Sequence, residues 1–174
     1  MQKKTGTTVG TFLTLLTLGI FRFYVVPQGF VRVVTRFGKF IRYDEAGLSF
    51  CLSFWGLYQQ VHQPVSIMEQ RLAPEEEYEV VYTSDGNEVR IDPVMYFKIE
   101  DPEKAIYEIE DYEESLNDLL KSMLRNECGN MSAQKLLGAR QELASNLKDQ
   151  LDDGTDPWGI DVRLVEIKQL DVVR

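Results

Sequence analysis

The residues best suited to chemistry in this chain are few: Cys51, Cys128, the single histidine His62, and acid runs at Glu75-Glu76-Glu77 and Asp152-Asp153. A cysteine nucleophile needs a base near it in space, and His62 is the sole imidazole that either thiol could use. Neither cysteine stands in CxxC spacing, so no zinc or redox pattern forms. Cys128 continues an apolar row from Met123 and Leu124 and reads as core. His62, in Val61-His62-Gln63-Pro64, reads as a solvated or hydrogen-bonded turn residue. Acid runs beside proline and glycine usually stay hydrated. GxxxxGK[ST], GxSxG and HExxH do not occur. The sequence therefore names no catalytic residue, no cofactor site and no metal ligand, and the expectation is a protein that is not an enzyme.

Charge narrows the partners. Residues 1–26 hold three basic and no acidic residues, leaving sixteen Lys and Arg against twenty-eight Asp and Glu, a formal charge of −12. Such a balance excludes nucleic acid, whose phosphates demand a basic face. Arg22, Arg32, Arg36, Lys39 and Arg42 nevertheless all precede Asp44. A basic collar there suits anionic headgroups, and weighed against Lys3 and Lys4 it favours a cytoplasmic domain. These arginines equally suit the wet face of early strands.

After a tail of residues 1–8, the stretch from Val9 to Val26 is apolar apart from threonines, glycines and Arg22. As a helix it would reach about 27 Å, just short of a hydrocarbon core of about 30 Å. Phe12, Leu13, Leu15, Leu16, Leu18, Ile20 and Phe21 make it a membrane anchor, either a short single span or a shallow loop in one leaflet. Arg22 could extend its guanidinium to the headgroups. A cleaved signal peptide is the competing reading, but apolar character runs on past the small residues at Thr17 to Gly19.

The chain beyond the anchor is long enough for one domain with its own core. Phe30–Phe37 reads as a strand, and Tyr78–Thr83 and Val89–Ile99 as a hairpin around Ser84-Asp85-Gly86-Asn87. Pro93 marks an edge or a bulge. Asp101-Pro102 starts a short helix. Asp111 caps a longer one with Leu116, Leu119, Leu120, Met123 and Leu124 on one face. Ser132 caps another that carries Leu136, Leu143, Leu147 and Leu151 as far as Asp152-Asp153-Gly154. A closing strand spans Ile160–Leu170. The fold class expected is α+β, with helices packed on a largely antiparallel sheet.

The ordered set Val26-Pro27-Gln28-Gly29, Thr35-Arg36-Phe37-Gly38-Lys39-Phe40, Ala46-Gly47-Leu48-Ser49-Phe50, Thr83-Ser84-Asp85, Asp92 to Ile99, Asp101-Pro102, Leu124-Arg125 and Trp158-Gly159-Ile160 through Lys168 resembles the stomatin, prohibitin, flotillin and HflK/C superfamily. The chain looks like an SPFH (Band 7) domain over residues 27–172, closest to the stomatin and paraslipin branch. That resemblance implies an anchored, non-catalytic scaffold that forms homo-oligomers or hetero-oligomers with a paralogue and organises a membrane microdomain. The other role it implies is a regulatory subunit that encloses a membrane protease or channel. The family's C-terminal coiled coil is absent from these residues. Two of the family's prolines are replaced by Ala46 and Ser53, and the loop's apolar run from Leu48 to Tyr58 suits the membrane interface. Arg22, Phe50, Phe54, Trp55 and Tyr58 are the residues expected there. Cys51 could be acylated in a eukaryote, although a buried thiol is the plainer state.

Overall fold

The computed structural model describes residues 21–52, 59–74 and 78–173. The chain divides into two compact units, Met1–Met68 and Glu69–Arg174.

In the first unit, β-branched and aromatic residues build five strands. They are β1 (Phe21–Val26), β2 (Phe30–Arg36), β3 (Lys39–Asp44), β4 (Gly47–Leu52) and β5 (Gln59–Ser66). β2 is the middle strand of an antiparallel sheet with β3 and β5, while β1 and β4 form a separate antiparallel ribbon. The turn between β2 and β3 places Phe37 and Gly38 at positive φ, the backbone that a tight two-residue hairpin requires. Gly29 also lies at positive φ, and a Cβ there would stand 2.6 Å from Sδ of Met68. The bare backbone lets Met68 lie over the turn, where Gly29 O accepts from Ile67 N.

Two expectations change in this unit. The apolar stretch 9–26 is not one uniform segment, because its last six residues are strand β1. Its alternation of Phe21, Phe23 and Val25 with Arg22, Tyr24 and Val26 has the period of a half-buried strand. Residues 9–20 lie outside the described residues, among which no helix is long and apolar enough to cross a membrane. His62 belongs to β5 rather than to a turn.

In the second unit β8 (Glu88–Ile99) is central. β6 (Gln70–Leu72) and β7 (Glu79–Tyr82) share one of its edges, and β9 (Ile160–Val173) runs antiparallel along the whole of the other. The hairpin expected around Ser84 to Asn87 joins β7 to β8. Its turn is docked on the helical layer, with Ser84 N donating to Met131 O and Asp85 Oδ1 accepting from Ala133 N. Pro93 falls at a register shift, where Lys168 of β9 is an extra residue, so a central strand carries a proline through a bulge. A second shift makes Arg163 the other extra residue. Val162, Val165 and Ile167 thereby face the core together, and Leu164 turns outward with Glu166. Simple alternation from Asp161 would have put Leu164 inside with Val162.

The helices are α1 (Pro102–Tyr107), α2 (Tyr112–Gly129), α3 (Ala133–Gly138) and α4 (Arg140–Thr155). Asp101, Asp111 and Ser132 cap the first three with side-chain oxygens, as their sequence positions predict. Leu116, Leu120, Leu124 and Cys128 of α2 are buried at i,i+4 spacing, as are Leu143, Leu147, Leu151 and Thr155 of α4. The helix expected to start at Ser132 is in fact two, broken at Ala139 directly after Gly138, the poorest helix former in the run. α4 lies against α2 and β9, and α2 against β7. Lys121 of α2 pairs at 2.9 Å with the buried Glu79 of β7. α4 is tied to β9 at both ends. Asp152 Oδ1 accepts from Val162 N at 3.0 Å, and Arg140 Nη2 donates to the carbonyls of Ile167 and Lys168.

Candidate functional site

The β1–β4 ribbon is the most unusual surface among the described residues. Antiparallel register pairs Phe23 with Phe50 and Val25 with Leu48 on one face, and Arg22 with Cys51 and Tyr24 with Ser49 on the other. The second face is core: Tyr24, Val26 and Cys51 are buried against Phe30 and Val61. The first face is apolar yet open, with Leu48 74%, Phe50 55%, Val25 52% and Leu52 38% exposed. Phe23 packs its ring 6.4 Å from that of Phe50, so the patch is continuous across both strands. A two-stranded ribbon with apolar residues on both faces needs a second apolar surface against its outer side.

Polar groups beneath the ribbon hold that face in place. The Tyr24 hydroxyl donates to Asp44 Oδ2, and Arg42 Nε donates to Asp44 Oδ1 at 2.7 Å. Arg42 Nη2 then donates to the Phe50 carbonyl at 2.8 Å, so the side chain of β3 grips the backbone of β4 directly behind an exposed phenyl ring. Burial, reinforced by the bond to Asp44, pushes the Tyr24 phenol far above its usual range. The same carboxylate keeps Arg42 charged by raising its already high pKa. Arg32 lays its guanidinium 5.4 Å over the Tyr24 ring. Arg22, Arg36 and Lys39 are exposed in this unit.

Of the residues expected at the interface, Phe50 lies on the apolar face, whereas Arg22 is exposed but belongs to the opposite side of the ribbon, paired with Cys51. Phe54, Trp55 and Tyr58 lie outside the described residues, as do Phe12, Leu13, Leu15, Leu16, Leu18 and Ile20, and Phe21 is described only as the first residue of β1. Phe23, Val25, Leu48 and Leu52 complete the face without having been singled out. Their signal was the period-2 pattern of 21–26 and 47–52, obscured by reading the first as the end of a helix and the second as a uniformly apolar loop.

The groups first considered for chemistry are spread through the molecule. Cys51 is 1% exposed and burial pushes its thiol up, while burial drives Cys128 to about 12. Both are small core residues held in the unreactive thiol form. Asp152, although partly desolvated, is kept below the ordinary carboxylate value by Lys148 and the Val162 N–H, which makes it a joint between α4 and β9. Glu75 to Glu77 lie outside the described residues. Among the described residues no three His, Cys, Asp or Glu side chains gather as a metal site.

Comparison with known proteins agrees with this architecture. The family model described as SPFH domain / Band 7 family matches residues 24–172. An uncharacterised protein of Methanocaldococcus jannaschii is 30% identical over 90% of this chain and 79% of its own. The mitochondrial stomatin-like protein 2 of Rattus norvegicus is 33% identical over 84% of this chain and 40% of its own. An uncharacterised protein of Mycobacterium tuberculosis is 30% identical over 84% of this chain and 37% of its own. The chain thus spans about two-fifths of the length of the last two. By the family match over nearly all the described residues, with an antiparallel α+β fold that fits it, this chain belongs to the SPFH domain / Band 7 family.

Proposed function

We propose that this protein is a membrane-bound, non-catalytic scaffold whose first unit lies on the bilayer through the outer face of the β1–β4 ribbon. The observation that carries this reading is the continuous apolar patch of Phe23, Val25, Leu48, Phe50 and Leu52, directly following the apolar residues 9–20. Water is a poor neighbour for such a face, whereas lipid acyl chains satisfy it at about 25 cal/mol per Å². Arg22, Arg36 and Lys39 add attraction to anionic headgroups, on the order of 1 kcal/mol for each cation near the surface. The basic residues from Arg22 to Arg42 outnumber Lys3 and Lys4, which favours the cytoplasmic side for the folded units. Held on one leaflet, copies meet in two dimensions at a raised effective concentration, and weak lateral contacts suffice to gather them and associated membrane proteins.

The test uses an environment-sensitive fluorophore on Leu48→Cys in the full chain. It blue-shifts on adding phosphatidylcholine vesicles and more strongly when phosphatidylserine is included, while the same label on Tyr82→Cys in the second unit does not. Replacing Leu48 and Phe50 by glutamate lowers vesicle affinity about tenfold or more, since each apolar side chain contributes about 1.5–3 kcal/mol when buried. A Leu48 label that stays in water on the vesicle refutes the contact. Extraction from native membrane in mild detergent tests the role: self-association with lipid supports the scaffold, and a stoichiometric protease or channel reassigns the protein as its regulatory subunit.

A further inference from the structure

Among the described residues, Phe37 is the only one other than glycine at positive φ, at 49°. A two-residue hairpin turn favours asparagine, aspartate or glycine there, and a bulky side chain sits against its own backbone preference. Strain of this kind collects at positions with a task beyond folding. Burial does not offset the cost, because Phe37 is 76% exposed, the most open large hydrophobic side chain among the described residues.

The same hairpin turns a second apolar residue outward. The register of β3 on β2 shifts between Val34 and Thr35, which leaves Ile41 as the extra residue of a bulge, 36% exposed. Arg36 and Lys39 lie opposite each other across the turn, both exposed, on either side of Phe37. No acidic residue precedes Asp44 in the chain, and Asp44 is held by Tyr24 and Arg42 at the far end of β3. The tip therefore offers an aromatic ring between two cations, a combination that suits the boundary between acyl chains and anionic headgroups.

Register fixes where the tip lies within the first unit. Arg36 is opposite Lys39 on one side and Gln59 of β5 on the other. Gln59 Oε1 accepts from Leu52 N at 2.9 Å, and Leu52 is opposite Phe21. Adjacent strands stand about 5 Å apart, so the tip and the Phe21–Leu52 end of the ribbon are close neighbours. Phe21 is also where the apolar residues 9–20 join the fold. We propose that the β2–β3 tip is a second lipid contact, with Phe37 and Ile41 entering the acyl boundary beside the apolar leader and Arg36 and Lys39 taking headgroup phosphates. The proposal rests on the membrane-bound reading above but uses no residue of the ribbon face. Together the two contacts fix the tilt of the first unit on the leaflet.

The experiment places an environment-sensitive fluorophore on Phe37→Cys in the full chain, whose native Cys51 and Cys128 are buried. The label blue-shifts on phosphatidylcholine vesicles, and further when phosphatidylserine is included. Phe37→Gly weakens vesicle binding about tenfold yet melts no lower than the parent chain, since glycine adopts this backbone without strain. Phe37→Trp keeps the affinity. Arg36→Gln with Lys39→Gln weakens binding to phosphatidylserine vesicles about tenfold and flattens its salt dependence. If the label at position 37 stays in water where the one on Leu48→Cys has entered lipid, the tip contact is overturned and the ribbon contact stands. The reverse result supports the tip and refutes the ribbon, and two labels left in water refute both. A label at position 37 that is shielded before vesicles are added, or a Phe37→Gly chain that loses melting temperature in step with affinity, assigns the ring to a protein contact and overturns the proposal.

Discussion

A methyl group at position 159 would stand 2.6 Å from Cβ of Asp101 and 2.8 Å from its carbonyl oxygen, on a backbone at positive φ. Gly159 also accepts through its carbonyl from the amides of Glu100 and Asp101. One residue therefore sets the start of β9 against the N-cap of α1. Gly159→Ala is expected to cost about 2 kcal/mol or more, read as a lower urea midpoint with an unchanged slope. In the sequence, Trp158-Gly159-Ile160 signalled only a family pattern. The reason for the glycine is contact with a residue nearly sixty positions earlier, and no local rule carries that. Cys128 shows the opposite case, because its place in the apolar row of α2 already implied the buried thiol that the fold contains.

At the level of elements, the hairpin turn between β7 and β8 does more than reverse the chain. Asp85 accepts from the Thr83 hydroxyl at 2.6 Å and from the first amide of α3, and these bonds hold its carboxyl below the ordinary aspartate range. A carboxyl with a lowered folded pKa contributes stability that is present above its unfolded pKa and lost as pH falls through the folded value. Asp85→Asn should therefore lose less stability than the parent chain between neutral pH and about pH 3, measured as the difference in urea midpoints. Asp-Gly between two extended runs made this turn legible, and the three capped helices were legible for the same local reason. The ribbon was not. Phe21 to Val26 reads equally well as the end of an apolar helix until β4 is available to pair with it. The bulges at Arg163 and Lys168 are equally hidden, since they are defined only by register against β8.

Across the whole molecule, the two units treat their strands differently: the first leaves the apolar face of its ribbon open, and the second covers the outer edge of β9 with α4. Family pattern and fold class could both be read from the chain, because they depend on order and composition. The apolar ribbon face could not, because it exists only once β1 and β4 pair and leave one side uncovered. On the side of β9 away from β8, Asp152 takes the Val162 amide and Arg140 donates to the Ile167 and Lys168 carbonyls, so the helix shields that side of the strand from an added one. Stripping that shield exposes raw backbone to neighbouring molecules. Arg140→Ala should therefore scatter light sooner than the parent chain on slow warming, and an unchanged onset would mean that the guanidinium does not guard the strand.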